Sequence, residues 1–237
     1  MNDEDVLVKY IKESKYTVFF GGAGVSTESG LKDFRSKDGL YNEVYKYNPE
    51  IILSHSFFVN KPIEFYKFYK DKLNSLKYKP NITHLTLTML EDKGLLNCII
   101  TQNIDGFHQE AKSKNVLELH GSIHRNYCCK CHKFYDSKFV FNSEGISKCS
   151  CGGIIKPDVI LYEEALNQDV MLKAIKEIAT ADLLIIGGTS LSVYPAASLI
   201  NYFKGRHIII VNKDEINYPN SNILIIKRPL GDVNPNW

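Results

Sequence analysis

Four cysteines carry the most specific chemistry in the chain. Cys128-x-x-Cys131 is followed, after 17 residues, by Cys149-x-Cys151-Gly-Gly, close to the C-x2-C…C-x2-C zinc pattern and one residue short in the second pair. Four thiolates at that spacing close a tetrahedral shell around Zn2+, which stabilises a module too small to fold on its own core. A closed shell leaves no position for water or substrate, so the metal is expected to be structural. A catalytic zinc would need a histidine in place of one cysteine, and His132 beside Cys131 keeps that alternative open. Cys129 would leave a single residue before Cys131 and stays outside the set.

Three further stretches place polar side chains where an α/β sheet presents its ligands. The apolar run TVFF (17–20) enters Gly21-Gly22-Ala23-Gly24-Val25-Ser26-Thr27, a strand-to-turn junction of the kind that offers backbone N–H groups to a phosphate. The hydride-transfer fingerprint G-x-G-x-x-G is incomplete: Thr27 stands at the third position, and Leu31 to Ser36 does not read as a second strand ending in an acid. A tight turn without a ligand is the plainer reading. Arg35 can grip a diphosphate with its planar fork, or form a surface salt bridge. At the end of NCII stands Thr101-Gln102-Asn103-Ile104-Asp105. Amides there orient a ribose or read a carboxamide and an aspartate accepts from its NH2; a turn capping the next helix is the alternative. VLEL ends in His120-Gly121, and a histidine at a strand's C-terminal edge can serve as a general base near neutral pH.

The elements that position these groups can be read from the periodicity. TVFF (17–20), NCIIT (97–101), LLIIG (183–187), HIIIV (207–211) and ILIIK (223–227) read as strands buried on both faces, with VLEL (116–119) as a sixth. Helical patterns over Ile82 to Lys93, Asp169 to Thr180 and Pro195 to Lys204 lie between them, predicting an α/β, Rossmann-type doubly wound parallel sheet. Residues 36–80 are aromatic-rich and helical in pattern, and 121–157 form a small β module around the cysteines; both read as insertions. The main domain is then 1–35, 81–120 and 158–237.

Composition bounds the partners. The 237 residues are 44% hydrophobic and carry 29 basic against 27 acidic side chains, a balance that favours neither nucleic acid nor a membrane surface. No apolar run reaches the roughly 18 residues a bilayer span needs, and the acidic start MNDEDVLVKY is unlike a signal peptide. A cytoplasmic monomer is expected.

Taken in order, these stretches resemble the sirtuin family of NAD-dependent protein deacylases, in its bacterial form. The matching residues are Gly22-Ala23-Gly24-Val25-Ser26, Asp33-Phe34-Arg35, Thr101-Gln102-Asn103-Ile104-Asp105, His120-Gly121, the cysteine pairs, Lys156-Pro157-Asp158-Val159-Ile160, Gly188-Thr189-Ser190-Leu191 and Val211-Asn212. They span nearly the whole chain. The resemblance implies NAD as co-substrate and one structural zinc. It implies that the acyl-lysine carbonyl oxygen attacks the ribose carbon bearing nicotinamide, giving an alkylamidate. His120 then activates a ribose hydroxyl, and the products are nicotinamide, O-acetyl-ADP-ribose and free lysine. Asn103 would orient the ribose, with Gln102, Ile104 and Asp105 at the nicotinamide end. Gly22, Ala23, Gly24, Thr27, Phe34 and Arg35 would surround the diphosphate and nicotinamide ribose. Gly188, Thr189, Ser190 and Asn212 would hold the far phosphate and adenosine ribose, and Val233 the adenine.

By the same resemblance an acyl-lysine peptide adds as a strand between Ile160-Leu161-Tyr162-Glu163 and Ser192-Val193-Tyr194, using main-chain bonds that tolerate many sequences. Phe34, Ile160 and Tyr162 would line the lysine tunnel, with Val193 in the peptide groove and Val159 facing away because strand neighbours alternate. Two departures stand out. Tyr162-Glu163-Glu164 replaces the Phe-Gly-Glu of many members. Tyr69-x-x-Lys72 lies near the Tyr-x-x-Arg of members preferring acidic acyl groups, but lysine lacks the planar fork that grips a carboxylate. Acetyl is therefore expected, with succinyl as the second choice and helix packing as the plainer role for Tyr69. Mono-ADP-ribosyl transfer and a non-enzymatic NAD- or ADP-ribose-binding module are the competing functions.

Overall fold

The computed structural model describes residues 2–36, 38–214 and 223–233. Helix α1 (Asp3–Glu13) leads into strand β1 (Thr17–Gly21). Short helices α2 (Pro49–Ile52) and α3 (His55–Asn60) and the longer α4 (Pro62–Lys72) follow. Next come α5 (Ile82–Asp92), β2 (Cys98–Thr101), α6 (Phe107–Glu110) and β3 (Val116–Glu118). Strands β4 (Gly121–Cys128) and β5 (Phe134–Tyr135), helix α7 (Ser137–Asn142) and β6 (Ile155–Val159) build the cysteine-bearing part. The chain returns through α8 (Gln168–Thr180), β7 (Leu183–Gly187), β8 (His207–Val211) and β9 (Ile223–Ile226).

Six strands form one parallel sheet in the order β3-β2-β1-β7-β8-β9. Successive side chains of each strand enter opposite layers. Val18, Phe20, Ile100, Leu184, Ile186 and Ile210 pack with Ala174 and Ile178 of α8. Phe19, Ile99, Ile185 and Ile209 pack with Leu7 and Ile11 of α1 and Leu87 and Leu90 of α5. Because both layers are apolar, the runs show no polar alternation. Strands β1, β2 and β7 are buried throughout. The edge strands correct the expectation of burial on both faces: β3 is half-buried, and Ile225 of β9 is 48% exposed, each pairing with a neighbouring strand on one side only among the described residues.

The helical pattern over Pro195 to Lys204 takes a tighter form. Residues Ala196–Tyr202 form 3-10 turns, with i to i−3 bonds from Ser198 N to Pro195 O (3.0 Å) and Phe203 N to Ile200 O (3.1 Å). Ala196, Ala197, Leu199 and Ile200 are all buried there, so tertiary packing sets the geometry of the segment, overriding local propensity.

The remaining elements make a smaller lobe. Antiparallel strands in the order β5-β4-β6 share one core with α3 and α4: Phe57, Phe58, Phe65, Tyr66, Phe68 and Tyr69 pack with Ile123, Val140, Ile155 and Val159. The Tyr66 hydroxyl donates to the Ile155 carbonyl across this core. The two sequence segments that interrupt the main sheet thus bury their apolar faces against each other.

Candidate active site and metal centre

The central feature is the meeting of two turns at the C-terminal ends of β1 and β7, where the strand order reverses and an open sheet presents its ligand crevice. Gly22 N donates to Gly187 O (3.2 Å) and Gly24 N to Gly188 O (2.8 Å). A Cβ on Gly24 would lie 2.8 Å from Gly188 Cα, and one on Gly22 would lie 2.7 Å from Thr189 Cβ. Glycine is required at these two positions for the approach of one turn to the other. Their amides are already satisfied within the protein, which differs from the expectation that they are offered to a phosphate. The segment that follows, Ala23–Ser29, is 3-10 rather than α-helical. Asn81, the N-cap of α5, ties it down by donating from Nδ2 to Val25 O (2.7 Å).

The polar end of β2 reaches across this crevice. Gln102 Nε2 donates to Thr189 Oγ1 (3.1 Å). Asn103, buried, donates from Nδ2 to Ser26 Oγ (3.1 Å), and the Ser26 hydroxyl donates to Asp105 Oδ2 (2.7 Å). Asp105 Oδ1 accepts from Phe107 N (3.0 Å), and its carbonyl accepts from Ser75 Oγ (3.0 Å) and meets His124 Nε2 at 2.9 Å. Burial raises the Asp105 carboxyl above the usual carboxylate range, and its bonds from Phe107 and Ser26 oppose that. Ser26 is the residue that sequence reasoning passed over. It lies within the glycine-rich stretch, but its link to Asn103 and Asp105 spans 77 and 79 residues and is invisible to local pattern.

His120 sits between β3 and β4. Its Nδ1 lies 2.9 Å from the Gln102 carbonyl oxygen. A carbonyl only accepts, so Nδ1 carries the proton and Nε2 keeps its lone pair. Burial pushes the imidazole below its ordinary pKa, partly opposed by the same carbonyl. The backbone is fixed on both sides: Ile160 N donates to His120 O (3.0 Å), and Gly121 adopts φ +75°, where an added Cβ would fall 1.9 Å from Asp158 O.

The segment carrying Ile160 and Tyr162 lies beside α3. Tyr162 N donates to Leu53 O (3.0 Å) and His55 N to Tyr162 O (2.9 Å), a parallel bridge opposite Ser54. Val159 joins the small-lobe core while Ile160 packs on the main sheet's core, the alternation expected of strand neighbours. Glu163 takes the left-handed φ of +74°, and its carboxylate accepts from Ser56 N (2.8 Å) and Ser56 Oγ (2.9 Å). Phe34 and Ile104 pack against the small-lobe core. Arg35 is engaged by two groups of the smaller lobe's side: Nη2 donates to Glu50 Oε1 (2.9 Å) and Tyr162 OH (3.3 Å). The Tyr41 and Tyr162 hydroxyls are 2.7 Å apart.

The other expected residues have partners of their own. Thr27 Oγ1 donates to Gly24 O (2.9 Å). The Ser190 and Ser192 hydroxyls are 2.6 Å apart, and the 192–194 stretch containing Val193 is loop. Asn212 follows β8 and donates from Nδ2 to Asp214 O (3.0 Å). Val233 packs on the α1/α5 layer. Tyr69 is fully buried, its ring stacked on Phe65 and Phe141, and Lys72 pairs with Glu43 (3.1 Å) and Asp71 (3.3 Å).

Among the described residues, Cys128, Cys131, Cys149 and Cys151 bring four sulfurs within 4.8 Å of one another. The Cys128–Cys151 and Cys131–Cys149 separations are 3.5 Å, and Cys131–Cys151 is 3.4 Å. A regular shell with Zn–S bonds of about 2.3 Å has edges of about 3.8 Å, so the set fits zinc. Lys130 N (3.4 Å from Cys128 Sγ) and Tyr135 OH (3.1 Å from Cys149 Sγ) donate to the sulfurs, the outer support usual for a thiolate site. Neither Cys129 nor His132 belongs to the cluster.

A family model described as "Sir2 family" matches residues 22–195. The chain is 55% identical over 231 residues to a Clostridium perfringens protein named "NAD-dependent protein deacetylase", covering 96% of this chain and 95% of that one. A Clostridium acetobutylicum protein of the same name is 53% identical, with 96% and 94% covered. Among solved structures, "Sir2-p53 peptide-NAD+" superposes with TM-score 0.84 at 36% identity, covering 98% of this chain and 95% of that one. "Sir2 bound to acetylated peptide" gives 0.85 at 36% identity with the same coverage.

Proposed function

The chain belongs to the Sir2 family, and from that premise we propose how its own residues perform the reaction. It is an NAD-dependent protein deacetylase, releasing nicotinamide, O-acetyl-ADP-ribose and free lysine. Its substrates are acetylated lysines on proteins or peptides. NAD, when bound, supplies the ribose carbon that receives the acetyl oxygen.

The observation that carries the reading is the tautomer of His120. With Nδ1 committed to the Gln102 carbonyl, Nε2 is the free lone pair, and burial keeps it unprotonated near neutral pH. His120 is the general base that takes the proton from a ribose hydroxyl. Asn103, held by Ser26, orients the ribose, and Gln102, Ile104 and Asp105 line the nicotinamide end. Gly22, Ala23, Gly24, Thr27, Phe34 and Arg35 surround the diphosphate and inner ribose; Gly188, Thr189, Ser190, Asn212 and Val233 take the adenosine half. Ile160, Tyr162 and Val193 contact the peptide, with Phe34 beside the acyl-lysine. The satisfied amides of Gly22 and Gly24 assign those glycines a steric role: they bring the two turns together and leave the diphosphate to side chains and neighbouring amides.

Acetyl is the acyl group this pocket takes. Tyr69 is enclosed in the small-lobe core, and Lys72 is spent on Glu43 and Asp71, so neither recruits an acidic acyl chain. The four-cysteine shell is closed and holds zinc for folding. Among the described residues, no helix is long and apolar enough to cross a membrane. The protein acts as a cytoplasmic monomer without a nucleic-acid partner. Mass spectrometry of an acetyl-lysine peptide with and without NAD tests the assignment. Loss of acetyl only with NAD, together with O-acetyl-ADP-ribose, is expected; an ADP-ribosylated protein product would replace it with the transferase reading.

A further inference from the structure

Arg35 stands at the junction of three segments that belong to different parts of the reaction. It follows Phe34 on the segment assigned to the nucleotide. Its Nη2 donates to Glu50 Oε1 at 2.9 Å, at the start of α2, and to Tyr162 OH at 3.3 Å, in the peptide-binding segment. Its guanidinium carbon lies 5.1 Å from the centre of the Tyr41 ring, and Tyr41 in turn meets the Tyr162 hydroxyl at 2.7 Å. Tyr162 OH is 3.5 Å from the same Glu50 oxygen. Four side chains therefore close a ring of polar contacts, with the carboxylate of Glu50 as its one negative charge.

We infer that Glu50 is a positioning residue that restrains Arg35 and so weakens the protein's hold on NAD, with Tyr162 as the second arm of the restraint. The inference rests on the assignment of Arg35 to the diphosphate. Its sign follows from charge. A carboxylate 2.9 Å from the guanidinium neutralises the cation that the diphosphate would meet and repels the incoming anion as well. Wherever the guanidinium ends up when NAD binds, removing that negative charge favours the anion. Tyr162 adds a geometric element: its main chain is pinned by Leu53 and His55, and its hydroxyl meets that of Tyr41 at 2.7 Å. Because Tyr162 also belongs to the peptide segment, any peptide that displaces its hydroxyl removes one of the two arms and loosens Arg35, which keeps its pair with Glu50. Peptide binding and NAD binding are thereby coupled with positive sign, and the coupling is reciprocal.

The side chains of Arg35 and Glu50 are 33% and 44% exposed, so the restraint is modest. Exposed ion pairs of this kind correspond to about a two- to five-fold change in an equilibrium. The experiment compares the zinc-loaded wild-type protein with Glu50→Gln, Glu50→Asp and Tyr162→Phe. Two readouts are taken: steady-state KM and kcat for NAD at saturating acetyl-lysine peptide, and calorimetric titration with ADP-ribose alone. In Glu50→Gln the KM for NAD and the Kd for ADP-ribose fall about two- to five-fold, with kcat unchanged. Glu50→Asp, which keeps the charge, stays near wild type, and Tyr162→Phe lowers the ADP-ribose Kd by a smaller factor. An unchanged or raised Kd for ADP-ribose in both Glu50→Gln and Tyr162→Phe overturns the inference. Absence of deacetylation by the wild-type protein would instead strike the functional reading, and the ADP-ribose titration still reads the restraint in that case.

Discussion

The imidazole of His120 and the main-chain carbonyl of Gln102 are joined by a 2.9 Å hydrogen bond that leaves the outer ring nitrogen, Nε2, as the only basic site. A backbone oxygen cannot rotate away as a side-chain partner can, so the tautomer is built into the path of the chain between β2 and β4.

Replacing that ring is expected to remove the proposed base and leave the crevice. His120→Ala is expected to lower kcat for deacetylation by about 10²–10⁴-fold, with binding of NAD little affected. Product quantification by mass spectrometry and a separate NAD titration check the two halves of the statement.

The pH dependence follows from the direction of the shift. Burial lowers the His120 pKa, so the neutral, basic form persists below the ordinary value of about 6.5. The acid limb of the kcat/KM profile should therefore bend at a pH below about 6.5, and a limb centred above that value would contradict the base assignment.

Two other histidines link pH to stability. Burial lowers His84 to about 3 and His108 to about 4. Both folded values lie below the unfolded one, so the stabilisation is fully present above pH of about 6.5 and is lost as pH falls towards the folded values. While the unfolded chain binds the extra proton, each contributes a slope of about 1.4 kcal/mol per pH unit. Urea unfolding between these limits should show that slope reduced by about one proton's worth in His108→Phe.

Metal removal should be felt beyond the cysteines. Cys128 and Cys149 belong to the same core as Phe65, Tyr66 and Tyr69 of α4, so stripping zinc is expected to loosen α4 as well as the β4–β6 sheet. One zinc per chain by elemental analysis, and faster amide exchange over residues 62–72 after chelation, are the expected results. Protection of α4 that survives chelation would show that the helices hold their own core.

The approach of the two turns tolerates no side chain. Gly24→Ala would place a methyl 2.8 Å from Gly188 Cα, against main chain with no flexible group to yield. A loss of about 1–3 kcal/mol in folding stability, typical of overpacking, and a raised KM for NAD are expected from denaturation and kinetics.

Much of this molecule is written in local pattern. LLIIG and HIIIV coincide with β7 and β8 because strands buried on both faces leave short uninterrupted apolar runs. The cysteine set is equally legible, since ligand spacing reflects the geometry of one ion. What the pattern conceals is pairing over distance. Ser26 meets Asn103 and Asp105, and Arg35 meets Glu50 and Tyr162, through choices of rotamer and loop path that leave no periodic trace. The same holds for Gly22 and Gly24, whose type is visible while their reason, the passage of Gly188 and Thr189, lies more than a hundred residues away.

The small lobe has a consequence for how the protein is made. Tyr66 and the Ile155 carbonyl it contacts are separated by 89 residues. At about 5–20 residues per second of synthesis, the aromatic face of α4 leaves the ribosome on the order of ten seconds before the strand that covers it. During that interval the nascent chain displays Phe65, Tyr66, Phe68 and Tyr69 without the strands that complete their core, a natural target for a chaperone, and burial of those rings is completed only after the last cysteine has emerged.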